Sequence, residues 1–212
     1  MKLNRVEFIR SATAPAHFPP ADRPEVAFGG RSNVGKSSLL NVLMQRHRLV
    51  KVSKTPGCTQ TINFFDVNDA LYLVDLPGYG FAKVPASVQR MWGPMIGTYF
   101  EKRRSLMAVA ALLDVRREPS EGDLLFANMI REAGKTLLVV MTKCDKLGSQ
   151  EIERRRREIA RTLRCEAPIA FSSERSLGRD ELWKAIKRAT WDFLPEGAGS
   201  QSESEEASSP LS

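Results

Sequence analysis

The sequence predicts an α/β domain: a mostly parallel, six-stranded sheet with helices on both faces. Three observations carry that expectation. Apolar strand-like runs alternate with amphipathic segments along most of the 212 residues, as the crossover connections of a parallel sheet require. Several runs are apolar without alternation, the pattern of strands buried on both faces. One run, "EVAFGG" (25–30), passes straight into a glycine turn and a helix, which directs a ligand to the C-terminal ends of the strands.

The elements follow in chain order. Residues 1–23 read as an N-terminal extension, and Ser11 to Pro24, with four prolines, as a loop. The domain is expected to span 24–194. After "EVAFGG" comes a helix from Val34 to Gln45. "NFFDV" (63–67) and "LYLVDL" (71–76) flank Asn68-Asp69-Ala70, a hairpin turn. Pro85 to Arg103 carries Val88, Trp92, Ile96 and Tyr99 on one helical face. Gly93-Pro94 interrupts it, and an interior proline costs about 3 kcal/mol, so a kink or two shorter helices are expected. "SLMAVAALLD" (105–114), "KTLLVVMT" (135–142) and "APIAF" (167–171) are buried-type strands. Between them, Ser120 with Asp123 resembles a capping box and Gly134 a helix stop. A last helix, Asp180 to Phe193, is striped by Leu182, Ile186, Ala189 and Phe193. The tryptophans Trp92, Trp183 and Trp191 read as packing residues. Residues 195–212 form a Ser/Glu/Gly-rich acidic tail, expected to be disordered.

Composition narrows the class. The longest apolar run, Leu106 to Leu113, is far too short to span a bilayer, no secretory signal is evident, and no membrane partner is expected. Cys58, Cys144 and Cys165 are odd in number and lack metal-ligand spacing, which suits reduced thiols in a cytoplasmic protein. Net charge is +7, and without the four tail glutamates the rest carries +11. So basic a body suggests an anionic partner, nucleic acid before membrane.

Gly30-Arg31-Ser32-Asn33-Val34-Gly35-Lys36-Ser37 matches G-x-x-x-x-G-K-[ST]. Its glycines let backbone N–H groups wrap phosphate oxygens, and the helix N-terminus adds partial positive charge. Lys36 is expected at the β/γ-phosphates and the Ser37 hydroxyl on Mg2+. Asp75-Leu76-Pro77-Gly78 ends a strand; Asp75 suits Mg2+ held through water, and the Gly78 N–H suits a γ-phosphate sensor. Thr142-Lys143-Cys144-Asp145 ends another. A carboxylate at Asp145 accepts from guanine N1–H and the 2-amino group together. Adenine would leave that charge unpaired, a mismatch that discriminates by orders of magnitude. The Lys143 stem suits the base plane. Phe171, Ser172 and Ser173, running to Glu174, end the last strand, where a backbone N–H suits guanine O6. Four motifs in order at four strand ends point to GTP or GDP as ligand.

"GRSNVGKSSLLN", "SKTPGCTQTINFF", "DLPGYGFAKVP", "TKCDKL" and "FSS" together resemble the EngB family of bacterial GTPases, within the TrmE-Era-EngA-EngB-Septin-like superfamily, over about residues 5–193. The resemblance implies a Ras-like P-loop GTPase domain, Mg2+-dependent GTP hydrolysis and a part in large ribosomal subunit assembly. It also implies a link to cell division and septation. It adds Gly57, Cys58, Thr59, Gln60 and Thr61 to the nucleotide site as the first switch, with Thr59 a second Mg2+ ligand beside Ser37. The precursor of the large subunit, its rRNA and protein, is the implied partner, and a monomer is expected.

No catalytic base is assigned; Lys36 and Thr59 assist. Tyr79 stands after "DLPG", where Ras-like enzymes place a water-orienting glutamine, so slow intrinsic turnover is expected. Asn33 matches the asparagine with which potassium-activated relatives hold K+, an effect expected to compete with simple loop shaping. Candidate RNA contacts are Arg154, Arg157, Arg161 and Arg164 on one helix face opposite Ile152, Ile159 and Leu163. Lys102, Arg103 and Arg104 at the end of an earlier helix, and Lys51, Lys54, Arg116 and Arg117 near the nucleotide, join them. Two rival readings stay open on sequence: a P-loop ATPase or small-molecule kinase, and a GTP-binding scaffold with negligible turnover.

Overall fold

The computed structural model describes residues 2–47, 49–50, 61–78 and 93–193. Its sheet comprises seven strands: β1 Val6–Ala12, β2 Glu25–Gly30, β3 Ile62–Val67, β4 Leu71–Asp75, β5 Leu106–Asp114, β6 Thr136–Thr142 and β7 Ile169–Ala170. Their order is β1-β3-β4-β2-β5-β6-β7. From β4 to β7 every pairing is parallel, whereas β1 to β3 and β3 to β4 are antiparallel. The α/β fold with helices on both faces is therefore the expected one, with a correction: the sheet has seven strands, not six. The added strand, β1, lies within the stretch read as an N-terminal extension. Its five central residues are exposed, so it lacks the apolar run that betrays a buried strand.

The described helices are α1 Lys36–Leu43, α2 Gly93–Lys102, α3 Glu121–Glu132, α4 Ser149–Leu163 and α5 Arg179–Ala189. Leu39, Leu40 and Leu43 of α1 and Leu182, Trp183 and Ile186 of α5 pack with Phe28, Leu73 and Val26. Ile96, Tyr99 and Phe100 of α2 and Phe126 and Ile130 of α3 pack with Phe64, Val74 and Ala27. Ala27 and Phe28 are sequence neighbours on opposite faces of β2, so the two clusters cover the two sides of the sheet. Ile159 and Leu163 of α4 close a third cluster with Met141 and Val139 of β6.

Local signals behave as their chemistry dictates. Asn68 and Asp69, at the β3–β4 hairpin, both have positive φ (59° and 55°), the backbone of the two-residue turn that matches strand twist. Ser120 and Asp123 form the reciprocal capping box of α3. α2 is described from Gly93; the segment before Gly93, with Trp92, lies outside the described residues. Trp183 is buried as expected, but Trp191 is 84% exposed, so it is not a packing residue; it lies beyond the last turn of α5, off the buried stripe. In α4 the buried stripe includes Arg155 beside Ile159 and Leu163. Its guanidinium donates to the Val115 and Arg117 carbonyls and pairs with Glu118 and Glu158.

Candidate functional site

The parallel order brings the C-terminal ends of β2, β4, β5 and β6 to one edge, and three of the motifs begin there, with the last at β7. The loop after β2 packs tightly against β5: a methyl group on Gly30 would stand 2.9 Å from the Leu112 carbonyl oxygen. Gly35, with φ at 105°, turns the chain into α1. The N-terminus of α1 therefore opens directly behind the loop, and its first N–H groups have no partner within the helix. That end carries partial positive charge.

Lys36 and Asp75 meet at this edge. The Lys36 ammonium donates to Asp75 Oδ1, and both side chains are largely buried. Asn63 Nδ2 approaches the other carboxylate oxygen at 3.4 Å. Ser32 of the glycine loop faces Gly78: a methyl group there would lie 3.2 Å from the Ser32 hydroxyl. The first and second motifs thus converge on one spot.

The third and fourth motifs are bound to the first. Thr142 Oγ1 donates to the Val34 carbonyl at 2.7 Å and the Leu113 carbonyl at 3.1 Å. Lys143, with φ at 61°, reaches back and donates from Nζ to the Asn33 carbonyl at 2.8 Å. It also pairs with Asp114 at 3.0 Å. Cys144 is buried, and its N–H donates to the Phe171 carbonyl at 3.1 Å. Burial raises the Cys144 thiol pKa. Ser172, fully buried, donates from Oγ to Asp145 Oδ1 at 2.6 Å. Lys146 pairs with the other oxygen at 2.9 Å. These two donors, Ser172 first, lower the Asp145 pKa, so the carboxylate is charged wherever guanine recognition would need an acceptor. Ser173 follows at the surface side of the same loop.

Of the candidate residues, Gly30 to Ser37, Thr61, Asp75 to Gly78, Thr142 to Asp145 and Phe171 to Ser173 are described. Gly57, Cys58, Thr59, Gln60, Lys51, Lys54 and Tyr79 lie outside the described residues. Asn33 has φ at 63°, a left-handed backbone that asparagine tolerates better than most residues, so loop shape alone gives a reason for it. Arg116 is engaged bidentately by Asp114, at 2.9 and 2.7 Å. Burial opposes ionisation of Asp114, but the Arg116 and Lys143 donors outweigh it and hold its pKa well below the usual carboxylate range. Arg117 lines, with Arg31, Ser32, Asn33 and Lys143, a cleft of about 260 Å³ beside the glycine loop. Arg154, Arg157, Arg161 and Arg164 are all exposed, as expected; Arg103 is not an RNA contact, because its guanidinium is held by buried Glu25 and the Pro19 and Pro20 carbonyls.

Asp114 and Asn63 escaped sequence reasoning. An aspartate ending a buried strand was the available signal for Asp114. Asn63 stood in "NFF", read as a family string rather than for its amide.

For Mg2+, the described donors are the Ser37 hydroxyl, at the second position of α1, and the Asp75 carboxylate, already neutralising a cation. Hard oxygen donors so few in number suit an ion that keeps waters and substrate phosphates as its other ligands, so the residues fit. No group of three or more His, Cys, Asp or Glu side chains that could hold a metal occurs among the described residues. No described helix is long and apolar enough to cross a membrane.

Residues 25–143 match the family described as "50S ribosome-binding GTPase". The chain is 52% identical to the "Probable GTP-binding protein EngB" of Geobacter metallireducens, over 88% of its own length and 93% of that protein's. It is 50% identical to the one from Syntrophus aciditrophicus, over 89% and 97%. Among solved structures it resembles a crystal structure of "a probable GTP-binding protein engB", with a TM-score of 0.65 and 22% identity over 80% of this chain and 100% of that one. Era in complex with MgGDPNP and 16S ribosomal RNA nucleotides matches at a TM-score of 0.61 and 23% identity, over 82% and 59%. These two likenesses show the fold. With a glycine loop, a lysine–aspartate pair and a serine-braced aspartate at one sheet edge, and relatives about half identical along most of its length, the chain belongs to the EngB family of GTP-binding, GTP-hydrolysing proteins.

Proposed function

We propose that this chain is a Mg2+-dependent GTPase switch acting on the large (50S) ribosomal subunit during its assembly. The observation that carries the ribosomal part is the match of residues 25–143 to a family described as 50S ribosome-binding, in a chain of net charge +7. Arg31, Lys143 and Arg117 line the cleft beside the glycine loop together with Asp114, Glu118 and Asp123; the four arginines of the α4 face are exposed, Arg154 in ion pairs with Glu151 and Glu158. Such residues bind RNA through phosphates, with affinity that falls steeply as salt rises.

In this reading the glycine loop from Gly30 to Ser37 wraps the phosphates, and Lys36 leaves Asp75 for the β/γ-phosphates. Ser37 and Thr59 would hold Mg2+, with Asp75 supporting them. The bound ion would neutralise charge on the phosphate oxygens and orient them. Asp145, braced by Ser172, reads the guanine edge while Phe171 to Ser173 face its carbonyl. Gly78 and Thr59 sense the γ-phosphate, and hydrolysis releases them. Tyr79 offers no paired amide, so turnover is slow until the subunit or a cation accelerates it. K+ held by Asn33 is the proposed cation; equal hydrolysis rates in KCl and NaCl would remove it. The protein works in the cytoplasm as a monomer. The requirement for normal cell division and septation is carried over from the family.

Co-sedimentation with purified subunits tests the reading. The expected result is binding to the large subunit with a non-hydrolysable GTP analogue and not with GDP, at moderate salt. Equal binding with both nucleotides, lost as salt rises, would mean that a basic protein merely adheres to RNA.

A further inference from the structure

β1, β3 and β4 bring three polar residues into one row. Ser11 is directly opposite Asn63, and Asn63 is directly opposite Asp75. Opposed residues of antiparallel strands project to the same face, within reach of one another. Ser11 Oγ donates to Asn63 Oδ1 at 2.6 Å, and Thr61 Oγ1 approaches the same oxygen at 3.3 Å. Asn63 Nδ2 then points at Asp75 Oδ2, 3.4 Å away, while Lys36 occupies Oδ1.

Two features mark this row as more than incidental. Asparagine is a poor strand residue, and Asn63 sits between Ile62 and Phe64, both fully buried. A local preference is thus overridden where the strand meets Asp75, and such violations concentrate at working sites. In addition, the β1–β3 register shifts by one residue between Phe8 and Arg10. Without that shift Arg10, not Ser11, would oppose Asn63. Irregularities of this kind re-aim side chains beside active sites.

We propose that Asn63 is a positioning residue of the phosphate–metal site. Its carboxamide, anchored by Ser11 and Thr61, fixes the orientation of Asp75 from the side that Lys36 does not hold. When Lys36 turns to the phosphates, Asp75 loses its cation, and the Asn63 amide keeps the carboxylate aimed at the metal shell. The edge strand β1 is thereby part of the site. This inference rests on the reading of Asp75 as the aspartate behind Mg2+.

The test is a Mg2+ titration of fluorescent-GDP binding to the full chain, with GDP affinity in EDTA and thermal melting measured alongside. Partners one step behind a metal ligand shift metal affinity by roughly 10- to 100-fold. N63A is expected to raise the Mg2+ midpoint about tenfold, with EDTA affinity unchanged. S11A, at an exposed edge where folding is not at stake, is expected to move it the same way by about two- to threefold, a fraction of that range. A wild-type midpoint in both variants, with D75A shifted, would overturn the role of Asn63 and leave Asp75 in place. Loss of EDTA affinity in step with Mg2+ affinity would make Asn63 structural and overturn it too. An unshifted D75A would overturn the reading of Asp75 itself, and the inference with it.

Discussion

Two buried carboxylates on neighbouring parallel strands differ in how they are held. Glu25 opens β2 and is fully buried. It accepts from Tyr99 Oη at 2.7 Å, from Ser105 Oγ at 2.8 Å and from Arg103 Nε at 2.8 Å. Arg103 in turn donates to the carbonyls of Pro19 and Pro20 and lies over the Phe18 ring. Among the described residues, Asp75 closes β4 with a lysine on a flexible stem and one long amide contact. Glu25 is saturated by donors that are themselves fixed; it clamps the helix α2 and the proline loop to the sheet. Asp75 has a partner that can leave. Burial alone does not separate a structural charge from a working one; the number and stiffness of the donors does.

The largest expected effect breaks the clamp. Glu25→Ala leaves Arg103 and Tyr99 buried without their acceptor, and breaking such a pair costs about 3–5 kcal/mol. Urea unfolding should register that loss, while GDP affinity of the folded fraction stays near wild type. A large affinity loss would mean that the two ends of the strands are not independent.

Next comes the working end. Asp145→Asn removes the charge and one of the two acceptor oxygens that guanine needs and offers an amide N–H in its place. GTP affinity is expected to fall by roughly 10²–10³-fold, as the loss of one or two hydrogen bonds to a charged group at about 1.5–3 kcal/mol each implies, and xanthosine triphosphate to gain. Stability should change little, because an asparagine keeps an oxygen for the Ser172 hydroxyl and loses the charge paired with the exposed Lys146. Competition binding against a fluorescent nucleotide measures it, and unchanged selectivity would remove Asp145 from base recognition.

The smallest effect is a slope. The folded pKa of Asp114 is depressed, so its stabilisation is complete above the unfolded value, about 4. Below that pH the unfolded chain takes up the proton first, and the contribution shrinks as pH falls toward the folded value. Asp114→Asn should therefore flatten part of the acid limb of a stability profile between about pH 2 and 4 and leave the neutral region parallel to wild type.

Much of this was legible beforehand, for reasons that particular residues make plain. β2, β5 and β6 were found to within a residue, because strands buried on both faces are apolar throughout. The Asn68-Asp69 turn and the Ser120–Asp123 cap declared themselves through local hydrogen-bond chemistry. β1 did not, because an edge strand with one paired side needs few apolar residues. Arg155 was hidden in a run of four arginines, although its place in the series Ile152, Arg155, Ile159, Leu163 puts it on the buried stripe. Asn63 could not be read, because its meaning lies in the register that sets it between Ser11 and Asp75, and register across three strands is set by the fold.

The most direct measurement is hydrogen exchange on the full chain with and without Mg2+ and GDP. Amides at 30–37, 62–64, 74–76, 142–145 and 171–173 should gain protection, while 24–26 and 99–106 around Glu25 should not change. Equal gains around Glu25, or none at the strand ends, would contradict the division of the molecule into a clamped end and a ligand-responsive one.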